Sequence, residues 1–404
     1  MVSGDKGEIR RQIALFMFAG ACLGAASGVF ETTFNNFLND TFHLSASARG
    51  QLEFPRELPG FLTAALSGAL FFLLEARMAA LAALGIAAGM FGLATMGTHY
   101  GAMLAFMVLW SAGAHLLMPL QGSIGLSLSE KGKEATLLGR LGSVSTAATI
   151  VGCGFVWLAT RRFALDYSLI FLGGGSAALI AVLLFAHMRV RGTQPDRRPF
   201  LVRREYSLYY LLCILFGARK QVFITFGPWV LIQVFHQPAS TFASLWIFSA
   251  IIGVFLKPAL GRWIDRYGER RVLMADAFLL IFVCLGYGFA ERLGLGKYTL
   301  SMVYGCYMLD QILFGTGMAR TTFLDKIARS RDDVAPTLSL GVTLDHAVSM
   351  SVPTLGGFIW AAAGYPYVFL AAAVIALFNL TAASRIRTPT SHEAARAAAA
   401  ASSR

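Results

Sequence analysis

Apolar stretches of about twenty residues or more alternate with short charged gaps along almost the whole chain. An α-helix needs ~20 residues to cross the ~30 Å of hydrocarbon in a bilayer, and within lipid a helix satisfies its own backbone hydrogen bonds. The runs predict twelve spans, near 13–37, 50–73, 78–97, 101–127, 136–159, 166–187, 207–235, 240–262, 272–292, 298–322, 336–362 and 365–385. One long polar break, 188–206, carries six arginines and two prolines and divides the spans six and six. The pattern predicts an all-α integral membrane protein with a first bundle over 1–187, a basic linker over 188–206, a second bundle over 207–387 and a disordered Ala-rich tail over 388–404.

Composition sharpens this. Of 404 residues, 56% are hydrophobic and 14% charged, against about 25% charged in soluble domains. The net charge of +12 raises the possibility of nucleic acid, but the arginines sit beside helix ends, so membrane topology accounts for them and no nucleic-acid partner is expected. One side collects the N-terminus, Lys131, Lys133, the 188–206 linker, the 261–271 turn, Lys326, Arg329, Arg331, Arg385 and Arg387; the other holds Arg49, Arg161, Arg162, Arg292 and Lys297. By the positive-inside rule both termini face the cytoplasm, in an inner membrane. The first run follows Lys6, Arg10 and Arg11 like a signal peptide, yet it outruns any such segment and carries Glu31, Asn35 and Asn36, so it reads as a retained helix. Five cysteines, all inside apolar runs and never spaced C-x-x-C, read as packing residues. No nucleophile elbow, P-loop or His–Cys metal spacing is present. No enzyme, cofactor or metal is expected, and energy would come from an ion or solute gradient.

The most specific local signal is Gly261-Arg-Trp-Ile-Asp265-Arg266-Tyr-Gly268-Glu-Arg270-Arg271, a polar turn between two apolar runs. Its spacing, G-x-x-x-D-R-x-G-x-R-R, resembles the loop signature of the major facilitator superfamily. Two six-span halves, a central basic linker and similar charged segments before each fifth helix (131–142 and 331–341) extend the resemblance over ~10–387. The resemblance implies two pseudo-symmetric six-helix bundles that rock about a midplane site. It also implies that Gly261, Asp265, Arg266, Gly268, Arg270 and Arg271 form a conformational latch. The chain departs from the pattern in three places. The first-half turn keeps only a glycine, Glu75 and Arg77; the fourth helix has His115 where an arginine is common; and the fifth lacks the Gly-Pro pair of drug–proton antiporters.

Ionisable residues inside membrane helices are costly and mark functional positions. In the superfamily the first, fourth, seventh and tenth helices line the cavity, and here they carry Glu31, His115, Arg219 with Lys220, and Asp310. Glu53, Arg56 and Glu57 have the i,i+3 and i,i+4 spacing of a self-satisfied ion-pair ladder. Asp345 beside His346 fits proton handling or polar substrate contact. Asp276 is assigned to the neighbouring turn. Arg219 and Lys220 point about 100° apart, and Arg219 is placed toward the cavity.

These residues predict a monomeric secondary transporter of a small anionic or zwitterionic solute. Arg219, Lys220, His115, Asp310 and His346 would contact the solute, and Glu31, Asp310 or Asp345 would couple protons or another ion. Two alternatives stay open: a proton antiporter exporting a cationic or amphipathic compound, and a transporter-like sensor or lipid-handling protein. For the paired charges, either Asp310 neutralises Arg219 permanently or a bound anion does so, and Lys220, which Asp310 alone does not balance, favours the anion.

Overall fold

The computed structural model describes residues 6–63, 74–129, 134–190 and 201–387. The end of the second predicted span (64–73), Lys131, Lys133, most of the linker (191–200) and the tail from 388 lie outside the described residues. Helices account for the architecture, and no strand occurs among the described residues. Nine helical segments there are long and apolar enough to cross a membrane. They correspond to the predicted spans except the second, tenth and eleventh. The second lies partly outside the described residues, the tenth is broken, and the eleventh is long but carries too many polar residues to count with the others.

The chain divides into two compact units. They differ from the sequence-based division in that 224–251 and 349–362 group with the first. That unit contains α1 (Lys6–Phe42), α2 (Ala46–Gln51), α3 (Glu53–Phe61), α4 (Glu75–Met96), α5 (Tyr100–Leu128), α6 (Glu134–Arg161) and α7 (Tyr167–Ala186). α1 packs on α6 and α7, and α4 packs on α5 and α7.

The α1–α6 contact is backbone against backbone. A Cβ on Gly24 would meet the Ser145 carbonyl, and one on Gly28 would meet that of Thr149. The Thr149 hydroxyl donates to the Gly24 carbonyl at 3.1 Å. Small residues four apart let membrane helices approach this closely, because dispersion and hydrogen bonding replace the hydrophobic effect there. Cys153 lies in the same seam, with Sγ 3.9 Å from the Gly28 carbonyl, a packing position as its setting in an apolar run suggests. Phe30 stacks on Trp110 with centroids 3.5 Å apart.

The second unit comprises 198–223, 252–348 and 363–404. Its elements come from α8 (Ser207–Gln233), α9 (Ala239–Gly288), α10 (Thr299–Leu313), α11 (Met318–Ile327), α12 (Arg331–Ala363) and α13 (Tyr365–Ser384). Tyr206, Leu212, Ile264, Phe323, Leu324 and Ile386 are among the residues of one core cluster. Phe223, Tyr287 and Phe369 form a second, aromatic one.

α9 corrects the expected turn. Helix continues through Gly261, Asp265 and Arg266, and the chain departs from it at Gly268 alone, with φ 81° and ψ 158°. That conformation belongs essentially to glycine. Gly261 has helical neighbours and open space around it, so its lack of a side chain is not needed for the reversal.

Candidate functional site

In the second unit, Arg219 lies twelve residues into α8, roughly 18 Å along the axis. The helix directs it inward, where it is 0% exposed. Its Nη2 is 3.2 Å from Asp310 Oδ1 on α10 and 4.0 Å from Asp276 Oδ1 on α9. The rings of Phe216 and Phe314 flank the guanidinium at 5.6 and 5.2 Å. Of the two ways to balance Arg219, the structure therefore adopts the ion pair with Asp310. It adds an acid that sequence reasoning placed elsewhere. Asp276 follows Gly268 by eight residues, roughly 12 Å along a continuous helix, which carries it away from the turn and into the bundle.

Lys220, one residue on, turns to α12, where its Nζ is 2.7 Å from Asp345 Oδ1. Gly217 makes room for that carboxylate, since a Cβ there would lie 2.6 Å from Oδ1. With side chains 16% and 19% exposed, Lys220 and Asp345 are the accessible pair, and Arg219 is the enclosed one. Arg219, placed toward the cavity from sequence, is held inside this unit by two acids on neighbouring helices. His346 is buried on α12 beside Asp345.

In the first unit, α2 and α3 carry a buried ladder. Arg49 pairs with Glu53, Glu53 with Arg56 at 2.7 Å, and Arg56 with Glu57 at 3.1 Å. The i,i+3 and i,i+4 spacing predicted this arrangement for 53–57. Arg49, counted from sequence as a loop charge, instead caps the ladder, donating from Nε to Asn35 Oδ1 at 2.9 Å. Ser111 donates to the Arg56 carbonyl, and His115 Nδ1 lies 3.0 Å from the Ser111 hydroxyl. A Glu57 oxygen and a His115 ring nitrogen lie within 4.8 Å of each other. Glu31 is half-buried in the field of Arg56, Glu53 and Glu57, with no ion pair of its own among the described residues.

At the Gly268 turn the ion pair is made by Glu269, a residue the expected latch omitted. Glu269 is 0% exposed and 2.7 Å from Lys326 Nζ, at the end of α11. Asp265, Arg270 and Arg271 are exposed there. A second cluster ties the same unit together: Tyr206 donates to Asp333 Oδ2 at 2.7 Å, and Arg203 reaches the same oxygen at 3.3 Å.

A family model described as Major Facilitator Superfamily matches residues 16–333. The chain is 25% identical over 159 residues to an uncharacterized MFS-type transporter, YybF, of Bacillus subtilis (strain 168); that match covers 39% of this chain and 37% of the relative. In fold it is similar to the nucleoside transporter NupG, with TM-score 0.72, 15% identity, 92% of this chain and 97% of the other covered. A D-xylose–proton symporter gives TM-score 0.69 and 14% identity, covering 95% of this chain and 99% of the other. An auto-inhibited POT-family peptide transporter gives 0.75 and 13%, covering 95% and 98%. With helical architecture, apolar spans and buried charge already established, the match over most of its length means that this chain belongs to the major facilitator superfamily, a family of membrane transporters rather than enzymes.

Proposed function

We propose that the chain is a proton-coupled secondary transporter of a small anionic or zwitterionic solute, working by alternating access, with both termini cytoplasmic. The observation that carries this reading is the sharing of one enclosed guanidinium, Arg219, by two carboxylates, Asp310 and Asp276. One proton on that pair leaves the trio electrically neutral, so the cluster has two charge states that protons select. Lys220–Asp345 is the more accessible pair, and it offers both signs of charge to a zwitterion. Glu31 is a further candidate proton carrier, because no cation holds it as an ion pair among the described residues. A symporter that couples xylose to protons has a similar fold, which makes the coupling mode accessible to this architecture.

Purified full-length protein in liposomes, loaded with a pH-sensitive dye, tests this. Solutes of each charge class are added under an imposed proton gradient. Solute-driven proton movement is expected for anionic or zwitterionic compounds and is expected to disappear in D310N. Proton movement driven only by organic cations, or unaltered in D310N, E31Q and D345N, overturns the reading.

A further inference from the structure

Arg320 is a further cation of the second unit, and the transport reading above does not use it. It stands on α11, just past a 3₁₀ stretch (Phe314–Gly317) that interrupts the tenth span. Its guanidinium carbon lies 3.3 Å from the centroid of the Phe216 ring. Its Nη1 is buried with no hydrogen-bond partner, and no carboxylate lies within ion-pair distance of it among the described residues. Arg219 and Lys220, by contrast, both have acids. Arg320 as a whole is half-buried, and a cation held there without an ion-pair partner is costly unless something of opposite sign arrives.

The helix break explains how Arg320 reaches this place. Ten residues of α-helix from Asp310 would turn roughly 1000°, setting the two side chains roughly 80° apart. Four residues wound at three per turn add roughly 80°, completing three whole turns and returning Arg320 to the Asp310 face. Phe216 then neighbours both guanidinium groups, lying against Arg320 while Arg219 is 5.6 Å from the centroid of the same ring. Stacking occupies the face of a guanidinium and leaves its edge of N–H donors free. That edge matches the two coplanar oxygens of a carboxylate.

We propose that Arg320, backed by Phe216, grips the carboxylate of the transported solute. This rests on the transporter reading and narrows it to monocarboxylates, zwitterionic ones included. One guanidinium edge accommodates one planar, singly charged group, whereas a phosphate dianion calls for further cations.

The test uses the purified full-length protein and three matched probe pairs: acetate and acetamide, lactate and lactamide, benzoate and benzamide. Affinity is read from concentration-dependent thermal stabilisation. Wild type is expected to bind at least one acid about tenfold or more tighter than its amide, as loss of a charge-assisted pair implies. R320Q is expected to abolish that preference while the empty protein melts at the same temperature or higher, and R320K to keep part of it. An undiminished preference in R320Q overturns the assignment of Arg320 and leaves the anion-transport reading standing. No preference in wild type for any of the three acids overturns both. Should R320Q not fold, F216L carries the test: carboxylate binding is expected to weaken several-fold, and unchanged binding overturns the proposal.

Discussion

Lys220 Nζ and Asp345 Oδ1 meet at 2.7 Å between α8 and α12, one residue along from the enclosed Arg219–Asp310 pair. Adjacent residues of one helix thus serve two different neighbours, as their separation of about 100° requires. The pairs differ in access to water, and they should respond differently to substitution. For Lys220–Asp345, partial exposure lets a lone partner stay hydrated. K220Q and D345N should each leave the melting temperature within a few degrees of wild type while abolishing solute-driven proton movement. The swap K220D/D345K should restore part of the transport. Equal loss of folding in both single variants contradicts this.

Arg219 should behave in the opposite way. R219A strands two buried carboxylates and is expected to destabilise by about 3–5 kcal/mol. Adding D310A should recover part of the loss, and adding D276A as well should recover more. Thermal unfolding of the single, double and triple variants measures this coupling. Additive effects would mean that the three residues do not share one cluster.

Glu269 is expected to matter more than Asp265 at the Gly268 turn. E269Q weakens an ion pair whose acid is 0% exposed, whereas Asp265 is exposed. E269Q should therefore lower both thermal stability and transport rate, with D265N near wild type in stability. G268A should cost about 1–3 kcal/mol through its backbone conformation alone. A G268A protein as stable as wild type would show that the chain reverses elsewhere.

In the first unit, G28L should prevent accumulation of folded protein, because its side chain would occupy the place of the Thr149 backbone. The control G122L faces open space on α5 and should be tolerated. Monodispersity on size-exclusion chromatography after membrane extraction separates the outcomes.

Run length and charge distribution made the helical membrane fold legible, since a bilayer sets the length of what crosses it. The Glu53–Arg56–Glu57 ladder was legible for a related reason: helical spacing alone brings those side chains together. Partners on different helices were harder to read. Asp276 was assigned to the turn because the ninth helix was expected to begin only at 272, and a helix continuing from Gly268 changes which way that side chain points. Arg49 lay at the edge of an apolar run, where a buried arginine and a loop arginine look alike. Arg320 was hidden by the 3₁₀ stretch, whose winding does not follow the helical period used to read the run. Gly315 and Gly317, close together in that run, are the sequence signal that would have raised the question.

The winding of Phe314–Gly317 also makes this segment a screw. Rewound as α-helix, those four residues would shorten the span by roughly 2 Å and rotate everything beyond them by roughly 80°. Asp310 would stay beside Arg219, while Arg320 swung off the Phe216 ring. One local change of pitch would thus withdraw the cation of the tenth span without breaking the ion pair alongside.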